Sequence, residues 1–112
     1  MLLDIYHIHR GGNDWDTIDC LNGRRLPVIH MNDYPGKPSH ELLKDSDRVL
    51  PGEGVCAFDD VIPKLYEAGF KGAFSVELFN KGYCTTMDAK TLLAKSYEST
   101  YQVLEKAMKN HL

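Results

Sequence analysis

The sequence predicts an α/β fold with a parallel sheet, and three features support this prediction. Short apolar runs at residues 2–4, 26–30 and 73–77 have the length of buried strands. A helical pattern separates the second run from the third, and a second helical pattern follows the third run to the end of the chain. Because parallel neighbours need a crossover connection, this order predicts right-handed β-α-β units.

The helix between the second and third runs has recognisable ends. Asp59 and Asp60 place negative charge in its first turn, where the helix dipole favours it, and Gly69 marks its end. A short helix over residues 14–21 is expected between the first two runs. Residues 33–57 contain many Pro and Gly residues and lack periodicity, so they predict a long loop of the kind that is usually functional or disordered.

The last part of the chain predicts a long amphipathic helix. Residues 85–88 have the spacing of a capping box at its start. Apolar residues then recur at helical intervals: Leu93, Tyr97, Tyr101, Leu104 and Met108. No internal repeat divides the chain, so we expect one segment that covers residues 1–112.

Composition and charge argue against several classes of protein. The chain has 112 residues, of which 43% are hydrophobic and 26% charged, as is typical of one soluble globular unit. Its formal net charge is -3 and its Lys and Arg residues are dispersed, which argues against a nucleic-acid partner. We find neither an apolar run of about 18 residues nor a signal-peptide pattern, so we expect a cytoplasmic protein without a membrane span.

The cysteine pattern predicts neither a disulfide framework nor a zinc site. Cys20, Cys56 and Cys84 are odd in number, widely spaced and without a C-x-x-C pair. This pattern argues against structural disulfides and against a zinc knuckle. We therefore expect reduced, buried thiols.

Each predicted strand ends in a side chain that can bind a metal ion: Asp4, His30 and Glu77. In parallel α/β folds the functional sites lie at the carboxyl ends of the strands, so these side chains are expected to converge. Two carboxylates and an imidazole suit Mn²⁺, Mg²⁺, Co²⁺ or Zn²⁺ and leave positions for substrate oxygens or water. The sequence therefore predicts an open divalent-metal site.

Each of these residues also has a structural interpretation. Asp4 could be a helix cap, His30 a hydrogen-bonded core histidine and Glu77 a solvated strand end. Three successive strands that end in such residues favour the metal site, because a charge at a buried strand end is costly unless it is paired or binds a metal.

Other polar groups are expected at the mouth of the same site. His7, Arg48 and the turn at residues 51–54 offer donors for hydroxyl and carbonyl oxygens, and His9 is a weaker candidate. Arg48 has an alternative, which is to pair with Asp45 or Asp47 on the surface, where ion pairs contribute little.

Four segments, at residues 4–9, 28–33, 47–54 and 75–79, resemble the xylose isomerase-like TIM barrel superfamily. The most specific of them read D-R-V-x-P-G-x-G and S-V-E-L-F, and within the superfamily they are most similar to inosose (2-keto-myo-inositol) isomerases. The resemblance covers nearly the whole chain. It implies a partial (β/α) barrel made of about the last three β/α units, with parallel strands and a long C-terminal helix.

The resemblance also implies roles for residues. In this superfamily a divalent metal is held by Glu, Asp, His and Glu, and Asp4, His30 and Glu77 match the last three. Glu77 would also serve as a general acid/base, and His7 and Arg48 would bind oxygens of a sugar or polyol. The implied reaction is an isomerisation or epimerisation by proton transfer through a metal-bound enediolate. A DNA-repair endonuclease of the same superfamily is a less fitting relative because the net charge here is acidic.

The chain departs from the superfamily pattern in its extent. The family barrel has eight strands, five of which have no counterpart here, and the other catalytic glutamate is missing with them. We therefore expect a fragment of a longer enzyme, a homo-oligomer or a partner of a separate N-terminal barrel half, or a remnant that keeps its site without activity. An open parallel sheet would expose its inner face, which favours association.

The alternative function is a non-catalytic metal- or sugar-binding oligomeric module. The second glutamate distinguishes the two functions. If a neighbouring copy placed a carboxylate such as Glu53 or Glu41 near the metal, catalysis would become possible.

Overall fold

A computed structural model describes residues 2–111 of the chain. Its sheet has three parallel strands in the order β1-β2-β3, which are β1 (Leu3–Asp4), β2 (Val28–Met31) and β3 (Ala73–Val76). The parallel α/β class that the three apolar runs predict is therefore confirmed. Each hydrogen-bonded strand is shorter than the run that predicted it.

Four α-helices accompany the sheet in the described residues: α1 (Ile5–Arg10), α2 (Phe58–Glu67), α3 (Lys81–Thr86) and α4 (Ala89–His111). α2 begins and ends close to its predicted bounds, and Gly69 ends the turn after it with a positive φ of 98°. The short helix predicted over residues 14–21 is a 3-10 helix, Trp15–Cys20. Within residues 2–111 we find no helix with the length and apolar character needed to cross a membrane.

The start of α4 differs from the predicted capping box. Thr85 lies inside α3, whereas the carboxylate of Asp88 accepts a hydrogen bond from the Thr91 N–H at 2.8 Å. Hydrogen bonds from Thr91 lower the pKa of Asp88 below its ordinary value. Asp88 therefore caps α4, and the capping-box prediction is wrong because a separate helix occupies the residues before it.

The two faces of the sheet have different environments because side chains alternate along each strand. Ile29 and Met31 of β2 are fully buried in one core with apolar residues of α2: Val61, Ile62 and Leu65. On the opposite face, Ala73 and Ser75 of β3 are exposed. The helices thus cover one face, and the inner face is open as expected for a partial barrel.

One part of α4 is also left uncovered by the other described residues. α4 packs mainly against α2, and Leu104 and Met108 contact the core as predicted. Leu93, Tyr97 and Tyr101 are instead 72%, 71% and 55% exposed. The predicted apolar stripe is therefore buried only in the C-terminal part of the helix.

One buried carboxylate organises the long loop after β2. Asp33 is 1% exposed, and its two carboxylate oxygens accept four backbone hydrogen bonds of 2.8–3.0 Å, from the N–H groups of Tyr34, Gly52, Gly54 and Cys56. Burial raises the pKa of Asp33, and the four donors oppose that shift. The expectation of an aperiodic loop is correct, but its two ends are held together at a single side chain.

The cysteines are free but differ from the expected burial. Cys20 and Cys84 are exposed, so the expectation of buried thiols is wrong for both. Cys20 lies in the 3-10 helix Trp15–Cys20 and Cys84 lies in α3. Cys56 is partly buried, and burial raises the pKa of its thiol to about 12.

We predict that Asp33→Ala lowers the free energy of unfolding by about 3–5 kcal/mol, because it leaves buried N–H groups without their charged acceptor. Urea denaturation followed by circular dichroism measures the change. Asp19→Ala is the matched control, since the Asp19 side chain is 63% exposed and lies 3.7 Å from Lys64. A loss below about 1 kcal/mol for Asp33→Ala would contradict the anchoring role of Asp33.

Candidate metal centre

Parallel pairing places the three candidate metal ligands at one edge of the sheet. Asp4 pairs with His30 across β1 and β2, and His30 pairs with Ser75 across β2 and β3. Glu77 follows Ser75 by two residues, so its side chain lies on the same face. The end of each strand therefore delivers one polar side chain to the inner face.

Distances in this cluster are short enough for one small ion. One ligand atom from each of Asp4, His30 and Glu77 lies within 4.8 Å of the other two. His30 Nδ1 is 2.5 Å from Glu77 Oε2 and 3.4 Å from Asp4 Oδ2. The Asp4 side chain is 6% exposed, whereas those of His30 and Glu77 are 23% and 35% exposed. The cluster is thus anchored in the fold on the Asp4 side and open to solvent on the other.

The local backbone explains the orientation of Asp4. It is the N-cap of α1, and its Oδ1 accepts a hydrogen bond from the His7 N–H at 3.2 Å. The same oxygen accepts a second hydrogen bond from Asn32 Nδ2 at 3.2 Å. Oδ2 therefore remains directed at His30. The interpretation of Asp4 as a helix cap is correct, and it coexists with a place in the cluster.

Asn32 links all three strand ends, although it is not among the residues predicted for the site. It is fully buried, and its Oδ1 accepts a hydrogen bond from the Tyr6 N–H at 2.8 Å. Its Nδ2 donates to the backbone oxygen of Glu77 at 3.4 Å as well as to Asp4. The available signal was its place two residues after His30, at the end of a buried strand.

Arg48 enters the cluster from the long loop. Its Nη1 is 3.3 Å from Asp4 Oδ2 and 3.4 Å from Glu77 Oε2. Its Nη2 is 3.1 Å from His7 Nε2 and 3.2 Å from Asp45 Oδ1. The alternative of a surface pair with Asp45 is half correct: that pair forms, but Arg48 itself is only 1% exposed.

The remaining groups expected at the mouth lie in different places. His7 is exposed on α1 and borders the site. The glycine N–H groups of the turn at residues 51–54 donate to Asp33, so that part of the prediction is wrong. His9 stacks on Tyr34 with ring centroids 3.7 Å apart.

Two further glutamates were candidates for a second carboxylate. Glu53 accepts a hydrogen bond from the Tyr83 hydroxyl and lies 3.5 Å from Lys95. Burial, together with that hydrogen bond, raises the pKa of Tyr83 to about 12. The Glu41 side chain is 76% exposed and lies near His40. Within the described residues, Glu77 is therefore the glutamate that the cluster contains.

A cavity of about 440 Å³ opens beside the cluster, a volume typical of small-molecule sites. It is lined by Leu2, Leu3, Asp4, His7, Ile8, His30 and Glu77. The lining combines apolar side chains with the candidate ligands. This mixture suits a small ligand with both hydroxyl groups and C–H faces.

A parallel sheet with helices on one face and polar strand ends at one edge defines part of a (β/α) barrel, a class in which sites lie at the carboxyl ends of the strands. The chain belongs to the xylose isomerase-like TIM barrel family, whose model matches residues 1–105. The partial-barrel fold and the family resemblance predicted from the sequence are thus confirmed.

Known proteins of similar sequence are longer than this chain. Inosose isomerase from Halalkalibacterium halodurans is 31% identical over 106 residues, which are 95% of this chain and 37% of that protein. Inosose isomerase from Bacillus subtilis is 30% identical over 106 residues, with the same coverage of 95% and 37%. The chain therefore spans little more than a third of the length of these relatives.

Similar solved structures are also longer than this chain. A crystal structure of the IolI protein with a bound zinc atom matches with a TM-score of 0.86 and 30% identity, over 96% of this chain and 38% of that one. A xylose isomerase domain protein from Alicyclobacillus acidocaldarius matches with a TM-score of 0.77 and 25% identity, over 96% and 37% of the two chains.

Proposed function

We propose that this chain carries the metal-binding and acid–base side chains of a sugar or polyol isomerase or epimerase that requires a divalent metal and resembles inosose isomerase. The observation that supports this function is the convergence of Asp4, His30 and Glu77 within 4.8 Å at the edge of an open cavity. The similar proteins named inosose isomerase and the zinc-bound IolI structure support the same function.

The donor set fits a divalent cation held in an open site. Two carboxylates and one imidazole would hold Mn²⁺, Mg²⁺, Co²⁺ or Zn²⁺, and three protein ligands leave coordination positions for a substrate. The bound zinc in the similar structure supports a divalent metal without deciding which one serves here. When bound, the cation would polarise a carbonyl and a neighbouring hydroxyl and acidify the C–H between them.

The chain's own residues would then place and move the proton. Glu77 is the more exposed carboxylate of the cluster, so it can reach a substrate carbon and act as general acid/base. His7 borders the cavity and would donate to a substrate hydroxyl. Arg48 contacts both His7 and Glu77, so it would hold these two groups in a fixed relation.

The cavity supports an uncharged substrate. Its lining contains neither Lys nor Arg among the described residues, whereas a phosphate group is usually bound by such cations. Leu2, Leu3 and Ile8 offer an apolar wall for the C–H face of a ring. A cyclic polyol or a free sugar fits this lining better than a sugar phosphate.

Full turnover would require a second carboxylate from outside this chain. Glu77 is the one glutamate of the cluster in the described residues, and Glu53 is engaged by Tyr83 and Lys95. An isomerase with two acid/base groups therefore needs another part of a closed barrel, from the rest of a longer chain, a second copy or a separate half. Without it, the alternative of a metal- or sugar-binding module describes the isolated chain.

We predict that the purified chain binds about one Mn²⁺ and that Asp4→Asn, His30→Gln and Glu77→Gln each weaken binding roughly 100-fold, because each removes a ligand from a small donor set. Isothermal titration calorimetry measures the affinity. Asp19→Asn is the control, since the Asp19 carboxylate is 63% exposed and lies beside Lys64 outside the site. Equal affinities in the wild type and the three variants would refute the metal site.

We predict that the Mn²⁺-loaded chain exchanges a substrate proton without net isomerisation, because Glu77 supplies one acid/base group where two are needed. Incubation with inosose in D₂O, followed by NMR, would detect deuterium at the carbon next to the carbonyl. Glu77→Gln is expected to abolish this exchange. If wild type and Glu77→Gln incorporate deuterium equally slowly, the binding module is the better description.

We predict that the purified chain self-associates through the outer surface of α4 and the edge of β3. A groove of about 290 Å³ there is lined by Phe74, Val76, Ser96, Tyr97, Thr100, Tyr101 and Leu104. In the purified chain, only another copy is present to cover this apolar surface and the unpaired strand edge. Light scattering of Tyr97→Lys/Tyr101→Lys should show a monomer, while the control Leu42→Lys, at another exposed apolar residue, should keep the oligomer.

A further inference from the structure

We propose that Arg48 is a built-in counter-ion that opposes the metal: its guanidinium neutralises the ligand carboxylates, holds the site together without the ion and thereby weakens metal binding. This inference rests on the proposed function of Asp4, His30 and Glu77 as metal ligands. It assigns Arg48 a positioning and affinity-setting role in addition to any contact with substrate.

The guanidinium is held in place from several sides. Arg48 is 1% exposed, and its Cζ lies 4.6 Å from the ring centroid of Tyr6 and 5.0 Å from that of Phe79. Asn80 Nδ2 donates to the Arg48 backbone oxygen at 3.1 Å. A guanidinium buried between two rings needs nearby carboxylates to offset its desolvation. Arg48 is therefore a fixed charge of the site.

Arg48 contacts the same oxygen atoms that face the imidazole. Asp4 Oδ2 lies 3.3 Å from Arg48 Nη1 and 3.4 Å from His30 Nδ1. Glu77 Oε2 lies 3.4 Å from Arg48 Nη1 and 2.5 Å from His30 Nδ1. A metal that used these two oxygens would therefore share their lone pairs with the guanidinium.

The charge balance gives the direction of the effect. The carboxylates of Asp4 and Glu77 and the guanidinium sum to a charge of about -1, so a divalent cation brings the group to about +1. The Asp45 carboxylate on Nη2 is left out of this sum because it is 62% exposed and its charge is screened by solvent. With a neutral side chain in place of Arg48, the same cation would bring the group to about zero. The guanidinium therefore repels the cation and lowers its affinity.

Removing the guanidinium should leave the ligands oriented. Asp4 Oδ1 is held independently by Asn32 Nδ2 and by the His7 N–H. The Glu77 backbone is held because its N–H donates to the Met31 oxygen at 3.1 Å and its backbone oxygen accepts from Asn32. Its side chain keeps a contact of 2.5 Å between Oε2 and His30 Nδ1. The electrostatic gain is thus expected to outweigh any loss of preorganisation.

The test compares Arg48→Met, which removes the charge, with Arg48→Lys, which keeps it. Calorimetric titration with Mn²⁺ should give roughly tenfold tighter binding for Arg48→Met and wild-type affinity within about threefold for Arg48→Lys. Without metal, Arg48→Met should melt at a lower temperature than the wild type, and saturating Mn²⁺ should raise its Tm more than that of the wild type. Arg10→Met is the control, since Arg10 Nε donates to the Leu43 backbone oxygen outside the cluster.

The outcomes separate this inference from the function it rests on. Failure of the wild-type chain to bind Mn²⁺ would overturn the proposed metal site. Binding by the wild type, with Arg48→Met no tighter than Arg48→Lys, would overturn only the role of Arg48. An Arg48→Met chain that stays unfolded at saturating Mn²⁺ would overturn it too, because the ion would then fail to replace the guanidinium.

Discussion

Two consecutive buried polar residues at the end of β2, Asn32 and Asp33, hold the site and its surroundings together. Asn32 bonds the carboxylate of Asp4, the N–H of Tyr6 and the backbone oxygen of Glu77. The Asp33 carboxylate accepts hydrogen bonds from four N–H groups of the loop that carries Arg48. A buried polar group is tolerated only when its hydrogen bonds are satisfied, and these two residues satisfy theirs by joining separate segments. The cluster therefore depends on contacts made just outside it.

Much of the fold and the meeting of Asp4, His30 and Glu77 could be predicted because both follow from local pattern and simple geometry. An apolar run predicts a buried strand, and parallel neighbours bring their carboxyl ends to one edge. A polar residue at the end of each run is therefore placed at that edge. α2 could be predicted for a similar reason, since its first-turn acids and the glycine after it act within a few residues.

Features that depend on distant contacts could not be predicted. The burial of Arg48 requires the rings of Tyr6 and Phe79, which are far from it in sequence. In the sequence, the glycine N–H groups of residues 51–54 look like free hydrogen-bond donors. In the structure they donate to Asp33, which precedes them by about 20 residues. The apolar stripe that begins at Leu93 predicts a face buried in the core. Periodicity shows which side of a helix is apolar, but it does not show what covers that side.

The geometry of the site does not depend on closure of the open inner face, whereas the burial of apolar surface does. Asp4, His30, Glu77 and Arg48 are positioned by hydrogen bonds and ion pairs that begin and end within the described residues. By contrast, within residues 2–111 the apolar side chains of Leu93, Tyr97 and Tyr101 on α4 are left exposed, and β3 is an edge strand of the sheet. Closure of the barrel would therefore bury these apolar surfaces without having to create the cluster at the strand ends. On these grounds a partial barrel can hold a defined cluster of polar side chains at its strand ends while its inner face is open.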